Sequence, residues 1–191
     1  MKIAVLGYAG SGKSTLARAL GAHYGLPVLH LDTVQFLPGW AIRPREEQLA
    51  LVRDFMDRHE GWVIDGNYSN LLQPRRLAEA DLVVMLLFGR FSSLARVTKR
   101  YRRFRGQSRP DMAPGCEEKL DAAFIRWVLW EGRSRKKREG FERKRKSCGD
   151  KCVVLKNQRQ IDRFLKEIRE NGYNIAQREH MKGDHTHAGS L

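Results

Sequence analysis

Short unbroken apolar runs alternate along the chain with stretches whose apolar residues return every three to four positions. The runs "KIAVL" (2–6), "PVLHLD" (27–32), "WVIDG" (62–66), "DLVVMLLF" (81–88) and "CVVLK" (152–156) read as strands buried on both faces. Between them lie helical patterns. The first covers 13–25, with Leu16, Ala19, Leu20 and His23 near one face and Gly25 as its stop. The second covers 43–61, with proline at its start, acids in its first turn and Gly61 at its end. A shorter helix is expected over 70–80, and a basic one over 92–104 capped by Ser92 or Ser93. The stretch 105–115 has two prolines and two glycines and reads as a loop. Residues 116–146 are helical in pattern throughout, first amphipathic and then strongly basic. A last helix over 157–171 carries Ile161, Phe164, Leu165 and Ile168 on one stripe. Strands alternating with helices predict an α/β fold, a parallel sheet covered on both faces. One domain is expected over 1–175, with a disordered tail over 176–191 where the apolar period stops.

The first strand runs into "GYAGSGKST". Gly7-x4-Gly12-Lys13-Ser14 fits the phosphate-loop (Walker A) pattern without a mismatch, with a strand before it and a helix after it. Gly7, Gly10, Ser11 and Gly12 let the backbone curl so that its N–H groups point at phosphate oxygens. The helix beginning near Lys13 adds the positive end of its dipole. Lys13 is expected to reach the outer phosphates of ATP. Ser14 is expected to ligate Mg2+, and Thr15 to hydrogen-bond the α-phosphate.

Two acids end strands beside this loop, where open α/β sheets bind ligands. Asp65 suits the magnesium shell, or it caps the turn before Gly66. Asp32 suits an acceptor hydroxyl, as hydrogen-bond acceptor or base, or it too is a cap. Arg96, Arg100 and Arg103 follow one another on one helical face, and Arg109 lies in the loop beyond. Arginines closing over a transferring phosphoryl group would stabilise its charge, so 96–120 reads as a lid. A solvated basic face is the alternative.

Together "GYAGSGKSTLARAL", "PVLHLDTVQFLPGW", "WVIDGNYS", "ADLVVMLLF", "RVTKRYRR", "GQSRPDMAPGCEEKLD" and "VVLKNQRQIDRFL" resemble the bacterial DNA topology modulation protein family, over roughly residues 1–170. That family consists of phosphate-loop proteins related to adenylate kinase and shikimate kinase. The resemblance implies a five-stranded parallel sheet of order 2-3-1-4-5, ATP binding and small-molecule kinase chemistry. It places the adenine between the lid arginines and the loop near Lys156 and Asn157. It places an acceptor against Asp32, Trp40, Asn67 and Tyr68, and gives a lid arginine such as Arg96 or Arg100 the ATP phosphates.

Charge changes this picture in one respect. The 191 residues carry a net charge of +14, and residues 90–146 supply most of it, with 19 Lys+Arg against 7 Asp+Glu. Such a field attracts polyanions. The segment 133–147 could contact nucleic acid by counterion release, although no base-reading motif accompanies it. Two functions therefore stand side by side. One is a Mg2+-dependent kinase of a small nucleoside, nucleotide or shikimate-like acceptor. The other is a nucleotide-dependent DNA- or RNA-binding regulator affecting DNA topology. Cys116, Cys148 and Cys152 are odd in number and read as reduced thiols, with zinc a weak alternative for want of paired close spacings. No apolar run approaches the roughly 18 residues of a membrane span, and the first strand is too short for a signal segment. A soluble cytoplasmic protein is expected.

Overall fold

β1 (Lys2–Gly7) is flanked on both sides by parallel partners, and Ile3, Ala4, Val5 and Leu6 are wholly buried. The computed structural model describes residues 1–172. β2 (Val28–His30), β3 (Trp62–Asp65), β4 (Leu82–Leu86) and β5 (Cys152–Leu155) complete a five-stranded sheet of order β2-β3-β1-β4-β5. All pairings are parallel, as the strand-helix alternation predicts. Central strands lose solvent on both faces, which is why β3 and β4 are apolar at almost every position, Asp65 being the exception.

The helices are α1 (Lys13–Tyr24), α2 (Leu31–Gln35), α3 (Arg45–Arg58), α4 (Gln73–Glu79), α5 (Arg90–Phe104), α6 (Ala122–Leu129), α7 (Arg135–Cys148) and α8 (Gln158–Asn171). The chain divides into two compact units, Met1–Asn157 and Gln158–Leu191. The second contains α8, whose strong amphipathic stripe bears Ile161, Phe164, Leu165 and Ile168. The tail expected to be disordered, 176–191, lies outside the described residues.

Four local expectations need correction. The second strand stops at His30, so Asp32 stands in the first turn of α2 and not at a strand end. A Thr33 hydroxyl donating to the His30 carbonyl, at 2.7 Å, competes with further strand pairing at that point. The basic helix starts two residues early, at Arg90 with Gly89 as its cap, and Ser93 is buried inside it. Residues 116–146 do not form one helix. Residues 116–121 are irregular, and Asp121 caps α6 by accepting from the Phe124 N–H at 2.7 Å. A short turn at Glu131–Arg133 then separates α6 from α7. Helical periodicity continues across such breaks, but a cap and a bound arginine side chain end each helix locally. In α1 the buried face is Leu16, Ala17, Leu20 and Gly21, while His23 is exposed.

Candidate phosphate-transfer site

The turn after β1 is built from backbone. Gly10 (φ 73°) and Gly12 (φ 92°) occupy left-handed conformations that favour glycine. Space demands glycine there as well. A Cβ on Gly10 would come within 2.6 Å of Val97 Cγ1, and one on Gly12 within 2.6 Å of an Arg96 guanidinium nitrogen. The Ser11 hydroxyl donates to the Tyr8 carbonyl at 2.7 Å, and Lys13 Nζ donates to the same oxygen at 3.1 Å. Asn67, just after β3, holds Gly7 from both sides. Its Oδ1 accepts from the Gly7 N–H at 3.0 Å and its Nδ2 donates to the Gly7 carbonyl at 2.6 Å.

Asp65 stands opposite Val5 in the sheet register, which carries its carboxylate to the mouth of the loop. Ser14 Oγ donates to Asp65 Oδ2 at 2.9 Å, and the other Asp65 oxygen pairs with His30 Nδ1. Asp111, in the loop beyond α5, has its carboxyl pKa held down against burial by Arg109 first, with Ser14 and Arg18 adding to the effect. Burial pushes the Lys13 ammonium pKa down. Asp32 and Asp65 oppose that, while Arg100 and Arg109 push it further down.

Asp32 stands in α2, facing the loop that follows β3. Tyr68 Oη donates to Asp32 Oδ1 at 2.7 Å, and burial together with Asp32 raises the phenol pKa. The loop carrying Asn67 and Tyr68 is moulded by Arg76. That side chain is fully buried and donates to the carbonyls of Leu71 (2.8 Å), Gly66 (3.4 Å) and Tyr68 (2.7 Å). Burial lowers the Arg76 pKa to about 10 against the opposing pull of Asp65.

The lid arginines divide. Arg96 lies over Gly12. Arg100 and Arg109 are drawn to Glu118, and Arg109 also donates to Asp111 Oδ2 at 2.7 Å. Arg103 is exposed and sits over Phe104, away from this group. Trp40 joins the segment after α2 to the loop beyond α5. Its Nε1 donates to the Glu117 carbonyl at 3.2 Å, and it packs with Phe36 against Met112, Ala113 and Cys116. Thr15 is exposed on α1, and Lys156 is exposed just beyond β5.

The oxygen donors at Ser14 and Asp65 fit a hard cation such as Mg2+, which takes few protein ligands alongside phosphate and water. Among the described residues no group of three or more His, Cys, Asp or Glu side chains could hold a metal ion by itself. All three cysteines are free thiols. No helix among the described residues is long and apolar enough to cross a membrane.

Sequence reasoning missed His30, Asp111, Glu118 and Arg76. Asp111 and Glu118 stand within the motif "RPDMAPGCEEKLD", where four acids in a strongly basic region were a signal. His30 and Arg76 carry no such mark, because their partners are backbone or residues distant in sequence.

No family model matches the chain, and no curated protein matches it in sequence. Its fold is similar to that of solved structures. Shikimate kinase from Acinetobacter baumannii in complex with shikimate aligns with a TM-score of 0.53 and 17% identity, over 87% of this chain and 89% of that one. TT1252 from Thermus thermophilus aligns with a TM-score of 0.52 and 18% identity, over 88% of this chain and 95% of that one. With the strand order above, these likenesses make the fold that of a phosphate-loop, shikimate-kinase-like α/β protein.

Proposed function

We propose that this chain is a Mg2+-dependent kinase that moves the γ-phosphoryl group of ATP to a small hydroxyl- or phosphate-bearing acceptor, a nucleoside, nucleotide or shikimate-like molecule. The observation that carries the reading is the glycine-built turn between β1 and α1 with Ser14 bonded to Asp65 at 2.9 Å, beside which Asp32, Arg100 and Arg109 act electrostatically on Lys13. Phosphoryl transfer asks the protein mainly for positioning and for positive charge around the equatorial oxygens, and this group supplies both. Mg2+ bound near Ser14 and Asp65 would neutralise charge on the outer phosphates.

The cradle N–H groups and Lys13 hold the phosphates, and Arg96, over Gly12, faces them from α5. The Asp32 oxygen not nearest Tyr68 is available to accept a proton from the acceptor hydroxyl. Tyr68 and Trp40 bound the acceptor space. Asn67 sets the distance between that space and the cradle through Gly7. The adenine lies beside Lys156 and Asn157. Shikimate kinase acts on a small hydroxyl-bearing acid, which is the model for the acceptor class. The free thiols suit a reducing cytoplasm.

The resemblance to the DNA topology modulation family supports a second reading, a nucleotide-dependent regulator that binds DNA or RNA. The observation in its favour is α7, "RKKREGFERKRKSC", largely exposed and with eight basic residues against two acids.

One assay separates the readings. ATP turnover is measured against a panel of nucleosides, nucleotides and sugar acids with product mass detection, and against DNA over a range of salt. Acceptor-dependent phosphorylated product, absent in Lys13→Ala, supports the kinase. Turnover stimulated by DNA alone and suppressed steeply by salt supports the regulator.

A further inference from the structure

Two guanidinium groups brought together out of water repel each other, and burial adds to the cost. Arg109 is one of the causes that push the Arg100 pKa down, after burial itself. Something must hold the pair. Glu118 does so with both carboxylate oxygens. Arg100 donates from Nε to Oε1 at 2.7 Å and approaches the same oxygen through a terminal nitrogen at 2.6 Å. Arg109 Nε lies 2.6 Å from Oε2. The Glu118 side chain is 3% exposed, so this charge has been withdrawn from water for its partners.

The backbone fixes Glu118 where it stands. Its N–H donates to the Gln107 carbonyl at 3.1 Å, and Ser108 pairs antiparallel with Glu117, so the lid loop is closed at its neck. From Arg109 the alternation of charge continues to Asp111. Asp111 meets Arg18 of α1 at 3.2 Å.

We propose that Glu118 is a positioning residue, which holds Arg100 and Arg109 side by side over the phosphate cradle and acts on the transferring phosphoryl group only through them. An arginine pair already set before the phosphate arrives needs no reorganisation when charge spreads over the equatorial oxygens. The kinetic consequence rests on the kinase reading above, whereas the clamp itself is a property of the free protein.

The test uses Glu118→Gln, which keeps the shape and removes the charge, and Glu118→Asp, which keeps the charge and shortens the reach. Hydrogen exchange of residues 107–118 in the nucleotide-free full chain reads the clamp. Steady-state kinetics reads its consequence. In Glu118→Gln, exchange in 107–118 is expected to rise about tenfold while the sheet stays protected. The kcat is expected to fall on the order of 10–100-fold with KM for ATP changed less than about threefold, the scale of a misplaced electrostatic group. Glu118→Asp should fall between wild type and Glu118→Gln in both measurements, and it decides the matter if Glu118→Gln fails to fold. Unchanged exchange in 107–118 overturns the proposal. So does a loss confined to KM, or a rise in exchange spread evenly over the sheet, which would make Glu118 merely structural. If wild type neither binds ATP nor turns it over, the kinase reading fails, and the exchange data still decide the clamp.

Discussion

The turn after β1 and the loop over 105–118 are held by different forces. The cradle is fixed by backbone: left-handed glycines, carbonyls that take the Ser11 and Lys13 side chains, and the two bonds from Asn67 to Gly7. The lid is fixed by side-chain charge, in the series Arg100, Glu118, Arg109, Asp111 and Arg18. A backbone site is rigid before its ligand arrives and indifferent to salt. A site of ion pairs depends on salt and pH. The molecule thus joins a turn held by backbone to a loop held by ion pairs.

The sharpest break in the comparison is at Lys13, the cradle's one charged member. Lys13→Met should reduce transfer to background. It should also raise Tm, because burial holds the ammonium pKa below its ordinary value, so the unfolded chain binds the proton more tightly than the folded one. The sign follows from that difference. The wild type's disadvantage is complete below the folded pKa and shrinks as pH rises towards the free value of about 10.4. The Tm gap between variant and wild type should therefore narrow as pH rises into alkali. A Tm gap that widens in alkali would contradict this account of Lys13.

Asp65 and Asp32 test whether each half keeps its own task. Asp65→Asn should weaken Mg2+-ATP binding whatever the acceptor. Asp32→Asn should spare nucleotide binding and slow acceptor phosphorylation by about 10²–10⁴-fold, the usual range for a general base. ATP affinity and acceptor turnover are measured for both variants. Equal losses of affinity would dissolve the division.

Gly10→Ala probes the rigidity of the cradle. The new Cβ must meet Val97 Cγ1 at 2.6 Å and the Ser93 carbonyl oxygen at 2.7 Å, at a φ of 73°. A cost of about 2–3 kcal/mol in denaturant unfolding is expected from strain and overpacking together. A variant as stable as wild type would show that the loop adapts.

The smallest effect is expected in the lid, as a pH response. Burial alone would raise the Asp111 carboxyl pKa, but Arg109, Ser14, Arg18 and His30 together bring it below its ordinary value. Its contribution is therefore complete above the free pKa of about 3.9 and is lost as pH falls through the depressed value. Trp40 fluorescence should report this, since Trp40 is bonded to the lid at Glu117. The signal should hold from pH 7 to pH 5 and change below about pH 4, and a Trp40→Phe control assigns it among the four tryptophans. A transition near pH 6 would point to another group.

Much of the fold and half of the site were legible in the residues alone. The five apolar runs became five parallel strands, and the phosphate-loop motif appears between β1 and α1 where it was expected. Such features are local. A buried strand must be apolar, and a tight anion-binding turn must be glycine-rich. What was misread depended on partners distant in sequence. Asp32 left the strand for α2 and came to face Tyr68 at a separation of 36 residues. The helical pattern of 116–146 hid the breaks on either side of α6, one at the Asp121 cap and one at the turn where Arg133 bonds to the carbonyls of Val128 and Phe88. The sequence by itself determined the sheet and the phosphate-binding turn, because periodicity and backbone conformation are written in neighbouring residues. Only the tertiary structure decided that Asp111 meets Arg18, that Glu118 joins two arginines and that Arg76 holds the loop after β3. Charges pair across space, and their positions in the chain do not disclose their partners.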